Sequence, residues 1–231
     1  MTSHYADNLT NQPFQSKCRY SVSLDHESFS FCASHFITFP IFSETSFQKK
    51  KNFSTIFSSE KKELEPLHGH DFRVRAIIFG FLNQNHYVLD FIAASEILKS
   101  VLAPFQHKIL LAENHPQFRY ESKSVDGVTE LEVRFQKSDG KVKRWIFPQE
   151  DILLLPLENT TTEEMARIIA VDFFERITKG GLLEFPPEHY NLFLELEESR
   201  GMSAQIFYNP NSQFSSFSAC DDNLALFSWR R

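Results

Sequence analysis

Apolar and polar residues alternate most regularly in the stretch HDFRVRAIIFGFL, residues 70–82. Phe72, Val74, Ala76 and Ile78 fall on one side of it, and two arginines occupy the other side at its start. A period of two residues is typical of a β-strand that buries one face. The pattern therefore predicts a strand whose apolar face lies against the core.

Helical periodicity appears in two stretches. Residues 91–105, FIAASEILKSVLAPF, follow Asp90, a residue type suited to an N-cap. Residues 159–181, NTTTEEMARIIAVDFFERITKGG, contain Thr161 and Glu164 at capping-box spacing and close with two glycines. We expect the second helix to bury one apolar stripe, formed by Ala166, Ile169, Ala170, Phe173 and Ile177.

The rest of the chain is predicted to be extended or irregular. Residues 18–39 are rich in Ser, Phe and Thr without helical spacing, and residues 40–66 have the composition of a long loop. Turn signals predict two hairpins: residues 125–147, turning at Asp139-Gly140, and residues 190–208, turning at Arg200-Gly201. This order of strands and helices predicts an α+β fold.

Charge and cysteine content narrow the class of protein. A net charge of −6 argues against a nucleic-acid-binding protein, because no basic stripe is available to neutralise phosphates. Three widely spaced cysteines without a CxxC motif indicate a reducing compartment. The first residues lack the pattern of a signal peptide, and no apolar stretch approaches the roughly 20 residues of a membrane helix. We therefore expect a cytoplasmic protein that does not bind membranes.

Two histidines, His68 and His70, flank a glycine at the start of the alternating strand. Side chains at i and i+2 of a strand share a face, with Cα atoms about 6.6 Å apart, so both imidazoles can reach one ion. A catalytic zinc site commonly takes three protein ligands and keeps an open position. His35, which closes an apolar extended segment, is the best candidate for the third ligand. On residue types alone, a chance pair of histidines remains the alternative.

Six short motifs follow one another within residues 20–208: FSFCASHF, LHGHDFRV, YVLDF, FQHKILL, ENTTTEEMA and LEESRGMSAQIFY. Their order and character resemble the 6-pyruvoyltetrahydropterin synthase / 6-carboxytetrahydropterin synthase family. The resemblance implies a tunnelling fold (T-fold) of antiparallel sheet and two main helices, assembled as a homohexamer. It also implies one Zn²⁺ per subunit and a dihydropterin triphosphate substrate derived from GTP.

The resemblance divides the chain into a tunnelling-fold domain and flanking segments. The domain is expected to span residues 18–208, with insertions at about 40–62 and 118–150. Residues 1–17 are then a flexible arm, and residues 209–231 a tail.

The resemblance also assigns roles to residues. His35, His68 and His70 fall on the zinc ligands. Glu198 falls on the glutamate that holds the pterin ring, and Glu197 takes that role if the register is shifted by one.

Further residues are matched to the pterin pocket and to proton transfer. Thr161, Thr162 and Glu163 fall on the helix start beside the pterin pocket, although plain helix capping explains the threonines equally well. His107 falls on the histidine of the catalytic relay, and neutral-pH proton transfer suits an imidazole.

The sequence departs from the family pattern at the catalytic base. The usual cysteine before His-Gly-His is missing, since no cysteine lies between Cys32 and Cys220, and Gln106 replaces the aspartate before the relay histidine. Glu65, three residues before His68, offers a carboxylate instead, as in a branch of the family that cleaves the pterin side chain. A carboxylate near zinc can serve as a base. The alternative is that Glu65 belongs to an ordinary acidic loop.

The sequence thus predicts a zinc-dependent pterin lyase acting on 7,8-dihydroneopterin triphosphate or a close relative. The product is 6-hydroxymethyl-dihydropterin if Glu65 is the base. It is a 6-pyruvoyl- or 6-carboxy-tetrahydropterin if another group replaces the cysteine. The alternative is a catalytically silent member of the family that binds a pterin or purine.

Overall fold

The computed structural model describes residues 19–40 and 62–211. Twelve strands and two α-helices lie in these ranges. The strands are β1 Tyr20–Leu24, β2 Ser30–His35, β3 Thr38–Pro40, β4 Lys62–Leu64, β5 His68–Gly80, β6 Lys108–Ala112, β7 Phe118–Val125, β8 Val128–Gln136, β9 Val142–Pro148, β10 Ile152–Leu155, β11 Asn191–Ser199 and β12 Met202–Tyr208. The helices are α1 Phe91–Leu102 and α2 Thr162–Lys179.

The main sheet is built around the long strand β5. Its strand order is β10-β6-β2-β5-β11-β12, and β1 pairs with the part of β5 that β2 leaves free. All pairings are antiparallel except those of β6, which runs parallel to both β2 and β10. The predicted alternation in β5 is confirmed, because Phe72, Val74, Ala76 and Ile78 are completely buried.

Both helices pack on the face of the main sheet that carries these apolar residues of β5. Asp90 caps α1 by accepting hydrogen bonds from the backbone amides of Ile92 and Ala93, and the helix continues into a 3₁₀ turn at Ala103–Phe105. The predicted stripe of α2 is buried throughout. None of the helices in the described ranges is long and apolar enough to cross a bilayer.

A second, three-stranded sheet is formed by β7, β8 and β9. It contains the predicted hairpin with its turn at Gly140 and adds β7, which the alternation did not predict. The turn between β7 and β8 is Asp126-Gly127, with φ angles of 51° and 82°. Positive φ at both positions is the geometry of a type I′ hairpin turn. This sheet has its own apolar core, made by Phe36, Leu64, Leu111, Phe118, Leu131, Val133, Phe135 and Ile152.

Residues 40–66, predicted as one loop, include a short strand where the structure describes them. β4 pairs with β3 in a two-stranded ribbon, and the pairing sets Leu64 opposite Thr38. The proposed arm at residues 1–17, most of the insertion at 40–62 and most of the tail lie outside the described residues. The division into one domain with insertions stays a prediction.

Candidate metal centre

Three neighbouring strands of the main sheet bring together His35, His68, His70 and Glu198. On β5, His68 and His70 share the face of Phe72, as their spacing predicts. β2 runs antiparallel to β5 in a register that sets His35 directly opposite His68. β11 flanks β5 on its other edge and brings Glu198 to the same face.

The four side chains converge on one point. One potential ligand atom from each residue lies within 4.8 Å of the others. Glu198 Oε1 lies 3.1 Å from His35 Nε2 and 3.4 Å from His70 Nε2. The ring of His68 lies 4.7 Å from that of His35 and 4.8 Å from that of His70, measured between centroids.

Backbone carbonyls fix the orientation of two of the imidazoles. His35 Nδ1 lies 2.9 Å from the carbonyl oxygen of Thr160, and His68 Nδ1 lies 2.9 Å from that of Pro66. A carbonyl oxygen only accepts, so each Nδ1 donates and, in the neutral ring, each Nε2 carries a lone pair. Metal-binding histidines commonly donate their second ring nitrogen in this way. Both rings are therefore held in the tautomer that binds a metal through Nε2.

His35 is completely buried. Burial lowers the pKa of its imidazole below the usual value of 6.5, while the Thr160 carbonyl and the Glu198 carboxylate oppose that shift. His35 Nε2, His70 Nε2 and Glu198 Oε1 are buried and have no hydrogen-bond partner among the described residues. Buried polar atoms rarely stay unpaired. Three nitrogen donors and one carboxylate oxygen suit Zn²⁺, so the residues present fit the metal.

Gly69 permits the close approach of β2 to β5. A Cβ atom at this position would lie 3.0 Å from Ser34 Oγ and 3.3 Å from the carbonyl oxygen of Ala33. Both atoms belong to the strand that carries His35. The glycine therefore makes room for the neighbouring backbone.

Hydrogen bonds connect the start of α2 to the chain that follows His35, and they involve residues that the sequence did not single out. Thr160 Oγ1 donates to the carbonyl of Phe36 over 2.6 Å. The Asn159 side chain accepts from the backbone amide of Thr38 over 3.1 Å and donates to the backbone carbonyl of Thr38 over 2.9 Å. Thr160 belongs to the quoted motif ENTTTEEMA, but the contacts depend on tertiary structure, and nothing in the spacing of the residues indicates them.

The predicted residues at the helix start lie next to this connection. Thr161 is the N-cap of α2 and accepts from the amide of Glu164, while the carboxylate of Glu164 pairs with Arg167. Thr162 is buried and Glu163 is exposed. Capping by Thr161 is thus observed, and a role of the three residues in pterin binding stays a prediction.

Glu65 directly follows β4, in the short segment that leads to His68 at the start of β5. Its backbone amide donates to the carbonyl of Ile37 over 2.9 Å, and its side chain is partly exposed. The next residue, Pro66, supplies the carbonyl that orients His68. Glu65 is outside the group of four converging side chains. The backbone on both sides of Glu65 is therefore held in place.

His107 is exposed and lies immediately before β6, outside the group of four. Its backbone amide donates to the carbonyl of Cys32 over 2.7 Å. Cys32 is three residues before His35 on β2, a distance on the order of 10 Å along the strand. Gln106 Oε1 accepts from the amide of Cys32, and its Nε2 lies 2.9 Å from His107 Nε2. Because Gln106 Nε2 is a donor, His107 Nε2 must be the acceptor of this hydrogen bond.

Glu197, the fallback for the pterin-binding glutamate, faces away from the centre. Its carboxylate lies 3.5 Å from Arg73 Nη1 and accepts from the amide of Gly201 over 3.0 Å. Adjacent residues of a strand point to opposite faces. Of the two glutamates, Glu198 is the one that reaches the histidines.

Sheet, helices and histidine centre together define a tunnelling-fold protein. The sequence profile described as 6-pyruvoyl tetrahydropterin synthase matches residues 26–185. The chain belongs to that family.

Two solved structures show the same fold. The 6-pyruvoyl tetrahydropterin synthase of Plasmodium vivax has a TM-score of 0.61 at 20% identity, over 83% of this chain and 99% of its own. That of Plasmodium falciparum has a TM-score of 0.60 at 21% identity, over 83% and 98%. A further P. vivax structure is a glutamate-to-alanine variant whose replaced residue is described as catalytic.

Two archaeal relatives match in sequence, and both carry the provisional name 6-carboxy-5,6,7,8-tetrahydropterin synthase. The protein of Methanocaldococcus jannaschii is 28% identical over 116 residues, 50% of this chain and 66% of its own length. The protein of Pyrococcus abyssi is 29% identical over 109 residues, 47% of this chain and 59% of its own length. The match spans less than two thirds of either relative.

Proposed function

We propose that this protein is a zinc-dependent lyase that acts on 7,8-dihydroneopterin triphosphate or a close relative. Membership of the tetrahydropterin synthase family supports the substrate class. The observation that carries the proposal is the convergence of His35, His68 and His70 beside unpaired buried acceptor atoms. A bound Zn²⁺ would supply Lewis-acid polarisation of the substrate side-chain hydroxyls.

Glu65 is the proposed base. A glutamate fits because the cysteine expected before His-Gly-His is missing, and a P. vivax relative has a glutamate that is described as catalytic. The Glu65 carboxylate would accept the proton that leaves the substrate side chain and return it to the product. With Glu65 in this role we propose cleavage to 6-hydroxymethyl-dihydropterin, as in folate synthesis. A 6-pyruvoyl- or 6-carboxy-tetrahydropterin is the alternative product class.

The remaining predicted residues are proposed to assist. His107 would act as a second proton relay, and its acceptor Nε2 is consistent with taking up a proton. Glu198 would hold the pterin ring in the substrate complex, with Thr161, Thr162 and Glu163 at the pocket wall. All are assignments from family resemblance.

Assembly into a homohexamer and a cytoplasmic location are further parts of the proposal. The face of the main sheet opposite the helices carries apolar side chains, of which Phe207 is 66% exposed. Exposed apolar surface of this kind favours association. Cys32, a free cysteine, is consistent with a reducing compartment.

A product assay tests the reaction. The full chain, loaded with zinc, is incubated with 7,8-dihydroneopterin triphosphate, and the pterins are separated by chromatography. We expect 6-hydroxymethyl-dihydropterin from the wild type and no product from His68→Ala, which lacks one ligand. The variant His86→Ala is the matched control, because His86 lies in a turn outside the group of four. Pterin binding without any product would instead identify a silent binding protein.

A further inference from the structure

An acceptor atom of the Glu198 carboxylate lies close to an acceptor atom of the His35 imidazole. The Nδ1 of His35 is committed as a donor to the Thr160 carbonyl, so its Nε2 presents a lone pair to Glu198 Oε1 at 3.1 Å. Neither atom has a hydrogen-bond partner in the part of the chain that the structure describes. Two buried acceptors at this separation repel each other unless a cation lies between them.

The distances match those between ligands of one metal ion. Zinc binds imidazole nitrogen at about 2.0–2.1 Å and carboxylate oxygen at about 2.0–2.2 Å, which places neighbouring atoms of a tetrahedral set about 3.4 Å apart. Glu198 Oε1 lies 3.1 Å from His35 Nε2 and 3.4 Å from His70 Nε2. Glu198 therefore stands at the distance of a ligand from two of the three histidines.

The backbone of β11 aims Glu198 at the centre. The pairing of β11 with β12 shifts register between Glu197 and Ser199, so Glu198 is the residue at the irregularity. Bulges of this kind re-aim side chains next to functional sites. Glu197, one position earlier, is engaged with Arg73 on the opposite face.

We propose that Glu198 is the fourth protein ligand of the metal when no substrate is bound. This inference rests on the zinc centre of the proposed function and deepens it. The resting centre is then a closed set of three histidines and one carboxylate, without the open position of a typical catalytic zinc site. Substrate hydroxyls must displace the carboxylate, and the released Glu198 becomes free to accept hydrogen bonds from the pterin ring. Metal coordination and pterin recognition are alternating roles of one side chain.

Metal affinity tests the first part of this proposal. Zinc binding to the full-length wild type, Glu198→Gln and Glu197→Gln is measured by competition with a chromogenic chelator. We expect at least about a tenfold weaker Kd for Glu198→Gln, a loss at the lower end of that seen when a partner of a metal ligand is removed. Glu197→Gln should keep the wild-type value, because Glu197 faces the other side of the strand. Circular dichroism of the metal-free variants confirms that they are folded.

A second experiment tests whether Glu198 occupies a position on the metal that another ligand can take. It also tests whether Glu198 binds the metal directly or acts only through its charge. Co²⁺-loaded wild type and Glu198→Ala are titrated with azide while the visible spectrum is recorded. Removal of a ligand opens a position, so azide should bind the variant more tightly, and the cobalt spectrum recorded before azide is added should also differ from that of the wild type. A nearby carboxylate that does not ligate the metal would leave the cobalt spectrum of Glu198→Ala equal to that of the wild type.

The outcomes separate this inference from the proposed function. Equal zinc affinity of wild type and Glu198→Gln, or equal cobalt spectra of wild type and Glu198→Ala, would overturn Glu198 as a ligand and leave the three-histidine centre intact. A wild-type protein that binds neither zinc nor cobalt would overturn both.

Discussion

His35 and Thr160 are 125 positions apart in the sequence, and the imidazole Nδ1 of the first donates to the carbonyl of the second over 2.9 Å. This bond connects a metal ligand on β2 to the residue that precedes the N-cap of α2. The Thr160 hydroxyl donates in turn to the carbonyl of Phe36, the residue after His35. The orientation of the most buried histidine thus depends on where α2 begins.

Replacement of Thr160 by valine should weaken metal binding without changing any ligand. The substitution keeps the side-chain shape and removes the hydroxyl that donates to Phe36, leaving a buried carbonyl unpaired, at a cost of about 1–3 kcal/mol of stability. Loss of an outer partner typically weakens a metal site about 10- to 100-fold. Chelator competition measures the affinity, and denaturant unfolding measures the stability. In the control Thr178→Val, the lost hydroxyl donates to the carbonyl of Phe174 in the last turns of α2, far along the helix from Thr160. Equal zinc affinity in the two variants would contradict this role of Thr160.

Glu65→Gln should lose turnover and keep zinc. The amide is close in size to the carboxylate but does not accept a proton at neutral pH, and general-base catalysis contributes typically about 10²- to 10⁴-fold to a rate. Product formation and zinc content are measured on the same preparations. Glu63→Gln is the control, since Glu63 lies two residues earlier on β4 and is exposed. Full activity of Glu65→Gln would remove Glu65 from catalysis.

Gly69→Ala should disturb the histidine centre through the neighbouring strand. The new methyl group would meet Ser34 Oγ at 3.0 Å and the Ala33 carbonyl at 3.3 Å, so β2 must shift and carry His35 with it. We expect weaker zinc binding and lower stability. The double variant Gly69→Ala/Ser34→Gly removes the closer contact and should recover part of the affinity. A Gly69→Ala protein with wild-type zinc affinity would show that the strands adjust without cost to the site.

The second sheet should lose stability in acid through Glu132. Hydrogen bonds from Arg144 and Arg134 lower the pKa of this carboxyl to about 2, although burial acts in the opposite direction. A carboxyl with a pKa below its usual 4.5 in the folded protein stabilises that state above pH 4.5, and the contribution disappears as the pH falls toward 2.

Glu132→Gln should therefore be less stable than the wild type at pH 7, and the difference should shrink steadily below pH 4.5. Thermal unfolding across this pH range provides the measurement. Glu130→Gln, two residues earlier on the same face of β8, is the matched control. A difference between wild type and Glu132→Gln that stays constant over this pH range would show that the charge of Glu132 does not stabilise the folded state.

The elements that sequence alone predicted are those with a strong local pattern. The alternation of β5 and the stripe of α2 both follow from which face is buried, and both are confirmed. β7 was not predicted because its stretch FRYESKSV is mostly exposed and lacks alternation, although Asp126-Gly127 after it is a turn signal. β6 and β10 have only five and four residues, too few for periodicity to indicate a strand.

In the candidate site, too, only the contacts that follow from a local pattern could be predicted from the sequence. The shared face of His68 and His70 follows from spacing along one strand, whereas the position of His35 opposite His68 requires the register between β2 and β5. The location of Glu198 depends on a pairing between β11 and β5 and on an irregularity toward β12. Spacing carries no information about either contact. The apolar segment that His35 closes made it the candidate third ligand, whereas only the family resemblance pointed to Glu198.

His35 and Phe36 are adjacent in the chain, yet they are buried in different places. His35 belongs to the metal centre of the main sheet, and Phe36 packs into the core of the second sheet. A structural zinc site contributes about 10–16 kcal/mol of binding free energy, which is comparable to the whole stability of a typical domain, about 5–15 kcal/mol. Zinc bound by His35 would therefore stabilise the end of β2, and with it the point at which Phe36 enters the second core.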